Sequence, residues 1–207
     1  MLYNHQLKRS TKNRGFTLVE LLVTTAIITL GAAVSIPNFL RNARQAEVDR
    51  YTQTVETGLF SLRAKLGTTK SSCQLSFSAP GQFLKPWQVL EFKQPSGAVA
   101  GLDRIECCNS KDGCINGPGY RMVQREGTKE TEAVEVAVNQ SDFMMTPPGT
   151  SAEVGNLTVL IRSKDWNQDS LQDSQGNSRL LTRCIDVSGS GSISRGTWDE
   201  ATASCST

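Results

Sequence analysis

Histidine is almost absent from this chain of 207 residues, whose one histidine, His5, lies close to the N-terminus. Imidazole is the commonest general base at neutral pH and a frequent zinc ligand. The sequence also lacks a nucleophile-elbow motif and a glycine-rich phosphate loop. We therefore expect a protein that is not an enzyme and that needs no cofactor.

Aromatic residues are also scarce, at 6% of the chain, and neither sign of charge predominates, with 22 Lys and Arg against 20 Asp and Glu. The first 15 residues hold four of the basic side chains and no acid: Lys8, Arg9, Lys12 and Arg14. The rest of the chain therefore carries 18 basic and 20 acidic side chains. This small excess of acidic side chains argues against extensive binding of nucleic acid, although a local basic patch is still compatible with it.

The sequence has one long hydrophobic run, from Phe16 to Ile36, in which Glu20 is the only charged residue. As a helix, this run would be about 31 Å long, which is enough to cross the hydrocarbon core of a membrane. The basic residues before it predict that the N-terminus stays in the cytoplasm. A carboxylate this close to the start of a spanning helix costs about 2 to 3 kcal/mol in lipid, so we expect a partner for Glu20.

The junction between the basic segment and the apolar run is the most specific motif of the chain. It reads Gly15, Phe16 and then Thr-Leu-Val-Glu, ending at Glu20. This run resembles the N-terminus of type IV pilins and of the pseudopilins of type II secretion systems, whose prepilins carry a short basic class III leader ending in glycine. The resemblance implies that prepilin peptidase cuts after Gly15 and that Phe16 becomes the N-methylated first residue. An ordinary secretory signal is the alternative, but its cleavage site would follow the apolar stretch.

The same resemblance implies where the chain works and with what it associates. The expected partners are prepilin peptidase, the inner membrane and other pilins or pseudopilins in a filament. The chain would first be a single-pass protein of the inner (plasma) membrane with its head outside the cytoplasm. It would later join a filament in the periplasm or at the cell surface. There, the ammonium group of one Phe16 would approach Glu20 of a neighbouring subunit and favour the correct stagger of the helices.

A second helical pattern follows the apolar run. Apolar residues recur mostly at steps of three and four: Leu40, Ala43, Val48, Tyr51, Val55, Leu59, Leu62 and Leu66. We predict one long helix from about Thr17 to Leu66, with a kink at Pro37 and a stop at Gly67. The predicted organisation is a cleaved leader over 1–15, a membrane-spanning and filament-core helix over 16–37, an amphipathic helix over 38–66 and a globular head over 67–207.

The head is predicted to contain short antiparallel strands. Residues 68–118 show no clear periodicity and are predicted to be irregular, except that short apolar pieces such as Trp87 to Phe92 could form a brief helix or strand. Candidate strands follow at 120–125, 133–138, 157–162, 180–187 and 192–195. Gly189 and Gly191 indicate a hairpin turn between the last two. One long helix packed on a small antiparallel sheet gives an α+β fold class.

Six cysteines lie beyond the apolar run: Cys73, Cys107, Cys108, Cys114, Cys184 and Cys205. An even number on the oxidising side of a membrane favours disulfides, and the lack of CxxC spacing argues against a zinc site. A direct bond between the adjacent Cys107 and Cys108 is the least favoured pairing, because it would need a strained ring. We expect one of these two to pair with Cys73 and the other with Cys114.

The C-terminal part carries a second, shorter resemblance. From Arg183 to Gly196, a strand that begins near a cysteine leads through a glycine turn to a short basic strand. This stretch resembles the C-terminal hairpin of FimT-like minor pilins and H-type pseudopilins, which implies that Cys184 and Cys205 are joined. Of that family's basic glycine–arginine pattern, Arg195 and Gly196 remain. Three arginines near the late strands are the candidate DNA contacts: Arg179, Arg183 and Arg195.

An acidic cluster precedes this hairpin and has some of the features of a calcium loop: Asp165, Asn167, Asp169 and Asp173. An EF-hand loop has glycine in sixth place and glutamate in twelfth, where this chain has Ser170 and Gly176. We therefore favour a solvated loop over a metal site.

Together these features favour a pilin-like structural subunit, and the loop-rich head favours a minor pilin over an abundant one. A pseudopilin of type II secretion is the first alternative. A minor pilin that captures DNA for natural transformation is the second.

Overall fold

The computed structural model describes residues 16–97, 105–111, 113–116, 119–151, 155–167 and 180–206. The chain divides into two compact units, one that ends at Phe39 and one that begins at Leu40. Helix α1 (Leu18–Thr69) supplies most of the described residues of the first unit and the opening segment of the second. It is continuous through Pro37.

The later half of α1 carries the predicted apolar stripe. Its buried side chains are at most 2% exposed: Val48, Tyr51, Val55, Leu59, Leu62 and Leu66. Leu40 and Ala43, with which the predicted stripe begins, are exposed. The buried stripe therefore begins at Val48, where the sheets described below start to cover the helix.

The predicted stop of α1 at Gly67 is wrong, because the helix continues to Thr69. Lys70 adopts a left-handed conformation with φ +51°, and the amide of Ser71 donates to the carbonyl of Leu66 over 3.3 Å. These two features are those of a Schellman motif, in which glycine usually holds the left-handed position. Here a lysine holds it, so the nearest glycine did not mark the end of the helix.

Beyond α1, the described part of the chain forms ten strands and two short helices. In chain order they are β1 (Ser72–Ser76), α2 (Pro86–Val89), β2 (Ile105–Asn109), β3 (Gly113–Asn116), α3 (Lys129–Ala133), β4 (Val134–Val138), β5 (Asp142–Thr146), β6 (Thr150–Ser151), β7 (Leu157–Ser163), β8 (Arg183–Val187), β9 (Ile193–Asp199) and β10 (Ser204–Ser206). The strands make two five-stranded antiparallel sheets, with the orders β3-β2-β1-β5-β6 and β10-β9-β8-β7-β4. The α+β fold class is confirmed, with two sheets in place of the one small sheet expected.

The second sheet follows the sequence prediction closely. β4 and β7 lie where alternating residues indicated strands, and Gly191 takes a φ of +82° in the predicted turn between β8 and β9. Alternate residues of β7 are buried from Leu157 to Ser163, which is the pattern of a strand with one face on the core.

The first sheet was missed: β1, β2 and β3 lie within residues 68–118, which were predicted to be irregular, and no strand was predicted at β5 or β6. β1 buries only Cys73 and Leu75 among polar neighbours, so its alternation is too short to be recognised. It pairs with β2 and with β5, which lie far along the chain, and such pairing leaves no local signal.

The predicted strand at 120–125 is also wrong. Those residues form an irregular segment in which Met122 and Val123 are buried. The segment lies directly on α1 at Gly58, where an added Cβ would overlap the carbonyl oxygen of Met122. Close contact between two backbones replaces strand pairing there.

One hydrophobic core joins α1 to both sheets. It contains the buried stripe of α1 together with inward-facing residues such as Leu75 and Phe143 of the first sheet and Val136, Ile161 and Ile185 of the second.

Candidate functional site

The start of α1 is organised by Thr17. The amide of Glu20 donates to the Thr17 hydroxyl oxygen over 3.2 Å, which makes Thr17 the N-cap of the helix. Thr17 and Glu20 have the spacing of the Thr-x-x-Glu capping box, a helix-start signal that the sequence analysis did not use. Gly15, the predicted cleavage position, lies outside the described residues.

The side chains that follow form a continuous apolar surface. Its large residues are between 50% and 77% exposed: Phe16, Leu18, Val19, Leu21, Leu22, Val23, Ile27, Ile28, Leu30, Ile36, Phe39 and Leu40. By length and composition, α1 can cross a membrane, and no part of its most apolar stretch is buried within this chain. A surface of this size needs lipid or other protein around it.

Three hydroxyl groups within this surface are satisfied inside the helix. The hydroxyls of Thr24, Thr25 and Thr29 donate to carbonyls three residues earlier, over 2.9 to 3.0 Å. Such bonds let hydroxyl groups lie in an apolar medium without a partner outside the helix. Glu20 is the one charged residue of this surface, so it is the residue available to select a partner.

In the head, two of the three predicted DNA-contact arginines are ion-paired with α1. Arg183 Nε lies 2.6 Å from Asp49 Oδ1, and its Nη1 donates to the Thr197 hydroxyl over 2.5 Å. Arg195 Nη1 lies 3.3 Å from Glu56 Oε2. These contacts fasten the β8–β9 hairpin to α1. The third, Arg179, lies outside the described residues.

The contact between Arg183 and Asp49 affects the pKa of the Asp49 carboxyl group. Partial burial acts to raise it, but hydrogen bonds from Arg183 and Gln45 outweigh burial and leave the pKa below its ordinary value. Another arginine of the second sheet, Arg162, is likewise engaged, since it pairs with Glu135 at 3.0 Å and lies 3.8 Å from the centre of the Phe83 ring. Much of the local positive charge is thus matched within the head.

Three disulfides hold the head together. They join Cys73 to Cys107, Cys108 to Cys114 and Cys184 to Cys205. The first two link residues that are direct partners across neighbouring strands of the first sheet. These pairings agree with the expectations from the sequence, and the choice left open between Cys107 and Cys108 is now made.

The third disulfide passes over a strand. Cys184 of β8 and Cys205 of β10 flank β9, and Gly196 of β9 is the register partner of Cys184. A Cβ at Gly196 would lie 3.1 Å from the Cys205 sulfur and would overlap the carbonyl oxygen of Ser206. Packing therefore explains why the residue beside Arg195 is a glycine in this chain.

Of the predicted acidic cluster, the structure describes Asp165 and Asn167. Asp165 Oδ2 lies 2.9 Å from Arg44 Nε, Asn167 is exposed, and Asp169 and Asp173 lie outside the described residues. The described acidic and sulfur groups that do meet are Glu106, Cys108 and Cys114. Because those two cysteines are joined to each other, their sulfurs are not free thiolates for a metal.

A buried carboxylate that the sequence analysis did not single out, Glu91, receives hydrogen bonds from both α1 and α3. Glu91 is fully buried and accepts hydrogen bonds from the Tyr51 hydroxyl at 2.9 Å, the Thr131 hydroxyl at 3.0 Å and the Gly127 amide at 3.0 Å. Burial raises the pKa of Glu91. Its donors come from distant parts of the chain, so no local pattern indicates the site.

Comparison with known proteins locates one similarity, at the N-terminus. The family model of the prokaryotic N-terminal methylation motif matches residues 10–36. The type IV major pilin protein PilA of Myxococcus xanthus (strain DK1622) is 57% identical over 30 residues, a stretch that covers 14% of this chain and 14% of that protein. No solved structure matches the chain significantly.

Proposed function

We propose that this chain, which carries the N-terminus of a type IV pilin-family prepilin, is a minor pilin that is cut after Gly15, methylated at Phe16 and assembled into a type IV pilus-type filament. The coarser statement, a pilin or pseudopilin subunit, rests on the methylation motif over residues 10–36. Assembly into a filament is supported by one structural observation above all: the described part of the chain leaves the apolar surface that follows Phe16 uncovered.

Glu20 is proposed as the residue that aligns subunits. When lipid or other subunits cover the apolar surface, the carboxylate of Glu20 is removed from water as well. Pairing with a cation on another molecule then lowers its free energy most. Cleavage after Gly15 would create such a cation, the ammonium group of Phe16, only four residues away along the chain. The intrahelical bonds of Thr24, Thr25 and Thr29 leave these groups as the main directional interaction of the segment.

The head supports a structural role more than the capture of DNA. Arg183 and Arg195 use their charge on Asp49 and Glu56, so a phosphate would have to compete with ion pairs already formed. A DNA-capturing minor pilin therefore stays the second alternative. A pseudopilin of type II secretion shares the same N-terminal machinery and stays the first.

Deletion of the gene, followed by complementation, tests the proposal. We expect loss of surface filaments or of twitching, with the tagged chain recovered in sheared filaments from complemented cells. Loss of exoprotein secretion with intact pili would instead identify a pseudopilin, and an isolated loss of DNA uptake would favour the DNA-capturing subunit. Recovery of the chain only in the soluble fraction would contradict all three.

A further inference from the structure

The outward face of the second sheet contains a groove of about 710 Å³. We call it the outer groove and define it by an apolar floor of Ala137, Leu160, Trp198 and Cys205, and by a polar rim of Asn139, Asn156 and Asp186. The floor follows from strand alternation. Leu160 points away from the core residues Val159 and Ile161, and Trp198 is the register partner of Cys205 across β9 and β10.

The floor contains the indole of Trp198. Trp198 and Leu160 are both partly buried, so the groove leaves part of each side chain accessible. Cys184 is the register partner of Leu160 and Cys205 is that of Trp198, so the Cys184–Cys205 disulfide ties together the neighbours of both side chains. An indole ring is rigid and has only two rotatable bonds, so a partly accessible indole can stack against a flat ligand at a low cost in conformational entropy.

The rim is a fixed network of hydrogen bonds. Asn139 Oδ1 accepts from the Thr158 amide at 2.9 Å, and Asn139 Nδ2 donates to the Asn156 carbonyl at 2.8 Å. Asn156 Nδ2 donates to Asp186 Oδ2 at 2.8 Å, and the Thr158 hydroxyl donates to Asp186 Oδ1 at 2.9 Å. Each amide keeps one further N–H, and each carbonyl or carboxylate oxygen keeps a lone pair. Donors and acceptors are therefore presented side by side in a preset arrangement.

The charge of the groove restricts the ligand. Among the described residues that line it, Asp186 is the one ionisable side chain, and none is cationic. A phosphate, sulfate or carboxylate would meet a like charge without compensation. A ligand without polar groups would leave the second N–H of each rim amide without a hydrogen-bond partner.

We propose that the outer groove binds a neutral saccharide. A pyranose ring has an apolar C–H face that matches the Trp198 platform, and hydroxyl groups at its edge that both donate and accept. Asn139, Asn156 and Asp186 offer the complementary donors and acceptors at the border of that platform. An apolar floor with a few convergent polar groups is the general form of a small-molecule site. The proposal stands on the head alone and does not depend on filament assembly.

The test is calorimetric titration of the full chain in a zwitterionic detergent without sugar head groups. The probes are cellotetraose, mannotetraose and chitotetraose, with tetragalacturonate as the acidic comparison. We expect at least one neutral tetrasaccharide to bind with a Kd on the order of 0.1 to 5 mM, a range that suits a shallow and exposed site. Tetragalacturonate should bind at least tenfold more weakly.

Two variants assign the binding to the groove. Trp198→Ala should weaken binding of the neutral probe at least tenfold. Trp87→Ala, which removes a partly buried tryptophan from α2, should leave that binding unchanged. Should Trp198→Ala fail to fold, Asn156→Ala removes an exposed side chain of the rim and should weaken binding at least fivefold. Absence of binding by all three neutral probes, equal binding of tetragalacturonate, or an affinity insensitive to the groove variants would each overturn the proposal.

Discussion

At the scale of single residues, two carboxylates lie in apolar surroundings of different kinds. Glu20 belongs to a helix surface whose large side chains face outward, so its surroundings are set by whatever covers that surface. Glu91 is enclosed by its own chain and receives hydrogen bonds from Tyr51, Thr131 and Gly127. We therefore expect Glu20 to act in association between subunits and Glu91 to affect the stability of the head.

Glu20→Ala should insert in the membrane and be processed, yet assemble poorly. Removing the acid eases insertion by up to about 3 kcal/mol, while the proposed ammonium partner on a neighbouring subunit loses its counter-charge. The measurement is the ratio of the variant in sheared filaments to that in the membrane fraction. Thr24→Ala is the control, because its hydroxyl bonds within its own helix. A normal ratio for Glu20→Ala would refute the pairing role.

Glu91 should make the stability of the head depend on pH. Burial raises its folded-state pKa above the ordinary value of 4.5, and hydrogen bonds offset that only in part. The protonated form is thus favoured by folding. Its contribution to the free energy of unfolding is complete below the unfolded-state pKa and is lost as the pH rises through the folded-state pKa.

Glu91→Gln removes this titration while keeping the size of the side chain. The free energy of unfolding of the variant, relative to wild type, should therefore increase as the pH rises from 4.5 towards neutrality. Denaturant unfolding at a series of pH values measures it, with the exposed Glu132→Gln as control. A difference between variant and wild type that does not change with pH would show that burial of Glu91 has no such effect.

At the scale of elements, α1 could be predicted because its apolar periodicity is local, and the second sheet because alternation is clear in β4 and β7. The first sheet could not, since β1 buries only two residues in five and its partners are distant. The end of α1 was misplaced for a related reason. The left-handed residue is Lys70, and nothing in the sequence distinguishes it from other lysines.

Two glycines of α1 should respond to alanine in opposite ways. At Gly58 an added Cβ would overlap the Met122 carbonyl oxygen, so Gly58→Ala should destabilise the head by about 2 kcal/mol or more. At Gly67 nothing lies within 4 Å, so the helix propensity of alanine should stabilise by about 0.5 to 1 kcal/mol. Thermal unfolding of both variants beside wild type decides, and equal effects would contradict the described contact.

At the scale of the whole molecule, the chain joins an uncovered apolar segment to a head that is closed by three disulfides. The N-terminal resemblance could be recognised from sequence because the motif is contiguous, and it is confirmed by the match over residues 10–36. The resemblance of the C-terminal hairpin to FimT-like minor pilins stays a prediction. The ion pairs of Arg183 and Arg195 could not be foreseen, because Asp49 and Glu56 lie more than a hundred residues earlier.

The Cys184–Cys205 disulfide should contribute substantially to the free energy of unfolding of the head. It joins residues 21 positions apart, a loop for which chain entropy gives about 3 kcal/mol. Replacing both cysteines with serine should lower the free energy of unfolding by that amount. The pair Cys108 and Cys114 closes a shorter loop and should cost less. Non-reducing peptide mapping checks the pairing first, and a free thiol at Cys184 or Cys205 would contradict it.

The most direct test of the central claim is the mass of the mature N-terminus after co-expression with a prepilin peptidase. We expect wild type to lose residues 1–15 and to begin at a Phe16 that carries one added methyl group. Gly15→Val should remain uncut, because a side chain before the cleaved bond crowds the peptidase. An intact wild-type chain, cleavage after Ile36, or equal processing of Gly15→Val would contradict the account of this protein as a prepilin.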